Sequence, residues 1–198
     1  MKKLFITIAV ALLAAASASA QVKIEVGGNY GGFSNNVNSQ NPAASFLRSI
    51  KSGFGFSGGV MYDINLLNDV LFLEPGVVYA MNNITVKDIN EKMKTQWIQV
   101  PLSLGYSTNV GFGSIDAFLG LYYGHIIKQD EYLDFNTNDF NTNDFGINAE
   151  VGFALPAGIG LFFNYKRGFI DLSRTSGYRA FSNLASFGLY FKFGGRKE

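Results

Sequence analysis

The 198 residues contain no cysteine, a single histidine and only four prolines, and charged side chains make up just 16% of the chain. Without cysteine there is no disulfide, no thiolate nucleophile and no Cys-ligated zinc, and one histidine excludes a multi-His metal centre, so neither metal nor cofactor is expected. A charged fraction well below the roughly 25% usual in soluble domains is too small to cover a water-facing exterior. Sixteen basic against fifteen acidic residues give a net charge of +1, which leaves no basic footprint for nucleic acid. What the chain does hold is apolar or small: 47% hydrophobic residues, with 19 Phe, 10 Tyr and 23 Gly.

The beginning reads as a targeting segment. Lys2 and Lys3 precede an apolar run from Leu4 to Ala16 and then the small-x-small triplet Ala18-Ser19-Ala20. These are the basic, apolar and cleavage regions of a secretory signal, so residues 1–20 are expected to be removed and residues 21–198 to form one domain. The apolar run is shorter than the ~20 residues a membrane-spanning helix needs.

Eight segments then alternate apolar and polar residues with the period of a strand: Gln21 to Phe33, Gly53 to Asp63, Val70 to Met81, Thr95 to Tyr106, Ser114 to His125, Asp144 to Leu155, Ile159 to Phe169 and Phe181 to Phe193. Each is about 11 to 13 residues long, close to the 9–11 of a tilted transmembrane strand. The fourth is the clearest, with Ile98, Val100, Leu102, Leu104 and Tyr106 on one face and Gln99, Pro101, Ser103 and Gly105 on the other. The connections Asn65 to Asp69, Ser107 to Gly113 and Pro156 to Gly158 are short, whereas Ser34 to Ser52, Asn82 to Lys94, Ile126 to Asn143 and Ile170 to Ala180 are long and polar. Strict alternation puts every long loop at one end. The expected fold is therefore all-β: an eight-stranded antiparallel up-and-down transmembrane β-barrel with short periplasmic turns and long extracellular loops. Closure also removes the sheet edges that lipid cannot satisfy.

The two faces separate this barrel from a water-soluble carrier, which would show charges outside. Here the polar face is rich in glycine (Gly27, Gly59, Gly105, Gly152 and Gly188 among others) and suits the crowded inside of a narrow barrel, so the apolar face must meet lipid. Alternation turns Lys23, Glu25, Glu74, Asp116, Glu150, Lys166 and Lys192 inward as a lumen charge network, with Phe72, Phe118, Tyr122, Phe162 and Tyr190 filling the remaining bore. Lys166 is expected to pair with Glu74 and Glu150. On the lipid face, Tyr30, Tyr79, Tyr123 and Tyr165 fall at the outer strand ends and Tyr62, Tyr106 and Phe193 at the inner ends, as two aromatic girdles.

The stretches Leu73 to Tyr79 (LEPGVVY), Trp97 to Tyr106 (WIQVPLSLGY), Ala117 to Gly124 (AFLGLYYG) and Asp144 to Gly152 (DFGINAEVG) resemble strands of the PorT-like outer-membrane β-barrel family of Bacteroidetes-type bacteria. The resemblance runs over nearly all of residues 21–198. It implies an eight-stranded barrel and, for some members, a link to protein secretion across the outer membrane.

Little in the chain points to chemistry. His125 lies at an outer strand end near Lys128, Asp130 and Glu131, but it follows Tyr123 on the lipid-facing parity and has no serine in a partner position, so no catalytic residue is assigned. Phe135-Asn136-Thr137-Asn138-Asp139 recurs as Phe140-Asn141-Thr142-Asn143-Asp144 and reads as duplication within a tolerant surface loop, lacking the acidic spacing and Gly of a calcium loop. The expected role is that of a non-catalytic structural or surface-interaction protein with a plugged lumen, in the outer membrane of a Gram-negative bacterium. An accessory of secretion or assembly ranks next, ahead of a small-solute pore and a lipid-modifying enzyme. The expected partners are outer-membrane lipid, the barrel-assembly machinery during biogenesis, and a protein or glycan at the extracellular loops.

Overall fold

The computed structural model describes residues 20–37, 50–67, 70–86, 91–129, 141–173 and 178–193. The expected signal and the first copy of the Phe-Asn-Thr-Asn-Asp repeat lie outside them. Eight strands form the domain: β1 (Ala20–Val37), β2 (Gly53–Leu67), β3 (Leu71–Val86), β4 (Glu91–Asn109), β5 (Ser114–Gln129), β6 (Asn143–Ala154), β7 (Ile159–Gly168) and β8 (Tyr178–Phe193). A two-residue piece, Ile50–Lys51, leads into β2 and pairs with Thr85 and Val86 of β3. Every strand is antiparallel to its sequence neighbours, and β1 pairs with β8, so the sheet closes as an up-and-down barrel.

The reason for closure is visible along β4. Gln99, Ser103 and Ser107 are buried while Val100, Leu102, Leu104 and Tyr106 are exposed; Leu102 keeps 52% of its surface and Ser103 keeps 1%. The same two-residue alternation runs through β5, β6 and β7. The polar face is thus inside and the apolar face outside, the reverse of a water-soluble barrel. Among the described residues no helix is long and apolar enough to cross a membrane.

At the inner end the turns are tight. Val110 N–H donates to Gly113 O at 2.9 Å, with Gly111 at φ 89° and its N–H bonded to Asn109 Oδ1 at 2.8 Å. Gly158, at φ 80°, donates to Leu155 O at 2.9 Å. Positive φ at these two corners is the conformation that glycine adopts without a Cβ penalty.

The outer end differs from the sequence expectation. Asn82 to Lys94, read as a long loop, is mostly strand: β3 and β4 stay paired up to Val86↔Glu91. Likewise β1 runs to Val37 and β5 to Gln129. Polar residues such as Asn35, Asn36, Asn82, Asn83 and Lys94 give these extensions the composition of a loop, while the backbone ladder simply continues. The barrel therefore projects past the tyrosine level on the loop side.

Candidate functional site in the barrel bore

Because eight strands leave room for little but side chains, the chemistry of this molecule is concentrated in its bore. The inward rings find their space at glycines. A Cβ built at Gly105 would overlap the Phe118 ring, one at Gly160 would overlap Tyr190, and one at Gly152 would lie 3.1 Å from Tyr190 Cε1. The glycine-rich inner face is thus the complement of the aromatic one.

The inner half of the bore is ionic. Lys23, fully buried, sits among three carboxylates: its Nζ is 3.0 Å from Glu25 Oε1 and 2.9 Å from Glu150 Oε1, and it also contacts Glu74 Oε2. Nearer the inner mouth, Lys192 Nζ is 2.8 Å from Asp116 Oδ2 and 3.1 Å from Asp63 Oδ2. Asp116 also accepts from Ser107 Oγ at 2.6 Å and from Tyr190 Oη at 3.0 Å. The two ammonium groups share aromatic faces, Lys23 lying 4.3 Å and Lys192 5.8 Å from the Phe118 ring centre.

Above these ions lies a layer of amides. Asn164 Nδ2 bridges Glu150 Oε2 at 3.0 Å and Asn148 Oδ1 at 2.9 Å, and Asn148 Nδ2 passes on to Ser103 Oγ at 3.0 Å. Lys166 departs from its expected pairing. It forms no ion pair with Glu74 or Glu150 and instead donates to Gln99 Oε1 at 3.0 Å. The register explains this: Lys166 pairs with Asn148 and Asn164 with Glu150, so the amide layer stands between the lysine and the carboxylates. Higher still, Asp144 accepts from Tyr122 Oη at 2.7 Å and from Ser182 Oγ.

The outer mouth is apolar. Ala80, Trp97, Ile126, Leu172, Ala180 and Leu184 form one buried cluster with Phe33 against it. Leu172 comes from the β7–β8 connection rather than from a strand. It is held over the bore by Leu172 N–H to Ala180 O and Asn141 N–H to Leu172 O, both 2.8 Å, while Asp171 Oδ1 accepts from Ser173 N–H and Ala180 N–H at 3.0 Å.

Sequence reasoning missed Asp63 and Asp144. The signal was present, since Ser57 and Gly59 set the parity that turns Asp63 inward, as Asn148 and Glu150 do for Asp144. Both were read as strand ends. The Leu172 cap carried no strand pattern to find it by.

On the outside, Tyr30, Tyr106, Tyr123, Tyr165 and Phe193 are exposed, while Tyr62 and Tyr79 are partly covered. Tyr123 Oη donates to Asn143 Oδ1 at 2.6 Å and Tyr165 Oη to Asn183 Oδ1 at 3.1 Å, so both hydroxyls find polar partners on the neighbouring strand. Tyr62 and Phe193 lie in one row, each paired with Val22. His125 is exposed, with Nδ1 2.9 Å from Asn143 Oδ1.

The sequence matches the family model for the outer membrane protein beta-barrel domain over residues 8–194. No curated protein matches it. Among solved structures, the chain is similar to OprG of Pseudomonas aeruginosa, at 14% identity over 89% of this chain and 97% of that one, with a TM-score of 0.51. Neisserial surface protein A is 17% identical over 88% and 97% with a TM-score of 0.49. Ail of Yersinia pestis is 10% identical over 87% and 99%, with a TM-score of 0.38.

Proposed function

The chain belongs to the outer membrane protein beta-barrel domain family, and on that premise we propose that it is a non-catalytic structural or surface-interaction protein of the Gram-negative outer membrane whose bore is closed to solutes. The observation that carries this reading is the filled bore: an ion network below, amides in the middle and an apolar cluster at the outer mouth. A pore of eight strands would have to displace several of these groups together, leaving buried charges without partners. Interaction with other molecules then falls to the loops and to the strand extensions above the tyrosines, where a protein or glycan would be met. The outward tyrosines and Phe193 serve as two interfacial girdles against outer-membrane lipid. Residues 1–20 act as the cleaved signal, with the barrel-assembly machinery as a transient partner.

Within the family we place the chain nearest the PorT-like barrels, on the strand patterns around Pro75, Pro101, Gly120 and Gly146. An accessory role in secretion is the second reading. The periplasmic turn favours it, because Phe112 exposes 72% of its surface there. Two measurements on the purified and cellular protein test the proposal. Reconstituted in planar bilayers, the wild type should show no steady conductance step, and a regular, voltage-independent step would replace the closed-bore reading with a pore. Crosslinking from intact cells separates the remaining alternatives: partners captured through outer-loop residues support a surface role, and partners captured only through the Phe112 turn support the accessory.

A further inference from the structure

The ladder between β2 and β3 is interrupted at Pro75, which has no N–H to give. Pairing runs from Met61↔Gly76 directly to Ile64↔Leu73, and this register sets Asp63 opposite Glu74. Both residues point into the bore and are buried, with 1% and 2% of their surface exposed. Directly opposed like charges on neighbouring strands repel, and in a bore filled with side chains neither can be moved into water. The oxygen atoms record the same conflict. Asp63 Oδ1 has no hydrogen-bond donor, while Asp63 Oδ2 and Glu74 Oε2 are each held by one ammonium group, of Lys192 and of Lys23.

We propose that Asp63 and Glu74 share one bound proton in the native state, forming a hydrogen-bonded acid pair that joins the Lys23 and Lys192 clusters into a single network. The surroundings of the pair are charged on several sides: Lys23 and Glu25 project from β1, Lys192 and Tyr190 from β8, Asp116 from β5 and Glu150 from β6. The other two strands offer Ser103 from β4 and Asn164 from β7, with Lys166 one layer further out. Five carboxyl groups here meet two ammonium groups, Lys23 and Lys192, so a proton lowers an existing excess of negative charge. Glu150 is not the group to carry it, because Lys23 Nζ and Asn164 Nδ2 already donate to its two oxygens at 2.9 and 3.0 Å. The proton belongs to the pair and to neither residue alone.

The test is carbon-13 NMR of the full chain in lipid nanodiscs, labelled at the side-chain carboxyl carbons of Asp and Glu. At neutral pH the wild type should show one neutral-acid carboxyl resonance, and it should vanish in both Asp63→Asn and Glu74→Gln. The wild-type measurement needs no variant to fold; titrated upward in pH, it should convert the same resonance to the carboxylate position. Absence of any neutral carboxyl at neutral pH would overturn the proposal, as would survival of the resonance in both variants. A resonance that appears only after chelation of magnesium and calcium would assign the site to a divalent cation and overturn it equally.

Discussion

The two halves of the bore are filled by opposite means. The inner half holds two ammonium groups among five carboxyls, with Tyr190 and Phe118 packed between them. The outer half holds one lysine bonded to a neutral amide and one aspartate bonded to the hydroxyls of Tyr122 and Ser182, with an apolar cluster closed by Leu172 at the mouth. Attraction between charges grows as water is excluded, whereas apolar packing is itself what excludes water. The difference teaches that the halves depend on one another: the cap keeps the network dry, and the network occupies a region where a hydrophobic core would have had to be built on glycine.

The largest effect should come from removing the centre of the inner half. Lys23→Met leaves Glu25, Glu74 and Glu150 facing one another without their shared cation, and loss of one partner from a buried ion cluster costs ~3 to 5 kcal/mol. Urea unfolding of the protein in lipid vesicles measures it. A loss below about 1 kcal/mol would mean that water already hydrates these groups, and the contrast between the halves would collapse.

How much of this could be read beforehand follows from the periodicity. The alternation of β4 to β7 is unbroken, so strand number, face assignment and the inward turn of Lys23, Glu74, Asp116 and Glu150 were all legible. Pairing was not. Alternation says which way a side chain points, but Lys166 misses Glu150 because Asn164 and Asn148 intervene, and that is a matter of register across β6 and β7. Loop boundaries also escaped, since residues such as Asn82, Asn83, Lys92 and Lys94 have the composition of a loop although the β3–β4 ladder runs through them. The cap was invisible for a third reason: Leu172 is an apolar residue in a polar connection, held inward by hydrogen bonds that involve Asp171, Ala180 and Asn141.

A smaller loss is expected at the cap. Leu172→Ala removes a side chain with no exposed surface from a cluster that includes Trp97 and Leu184, and comparable core truncations cost ~2 to 5 kcal/mol. The lower figure of about 2 kcal/mol fits here, because a connection can settle toward the cavity more easily than a strand. Amide hydrogen exchange sharpens the comparison: the N–H groups of Asn141 and Leu172 should lose protection first, with the inner ladder between β1 and β8 following only if opening the cap wets the network. Unchanged exchange at Leu172 would show that the connection is held by Asp171 alone and that the apolar cluster is incidental.

The smallest effect is expected from the third lysine, and it is the most discriminating. Lys166 is as buried as the carboxylates below it, with 4% of its surface exposed, yet it donates to the neutral Gln99 Oε1. Lys166→Met keeps the stem volume and removes both the hydrogen bond and the cost of holding an ammonium ion out of water. Leaving Gln99 with an unmet acceptor costs ~1 to 3 kcal/mol, while relief of the buried charge acts in the opposite direction with a similar size. The net change in urea unfolding should stay within about 1 kcal/mol of the wild type. A loss as large as that of Lys23→Met would show that Lys166 is coupled to the carboxylates across the amide layer, making the bore one continuous ionic column. A small change, beside a large one at Lys23, locates the charge-dependent part of the fold below Asn148 and Asn164, where three carboxyls surround a single ammonium group.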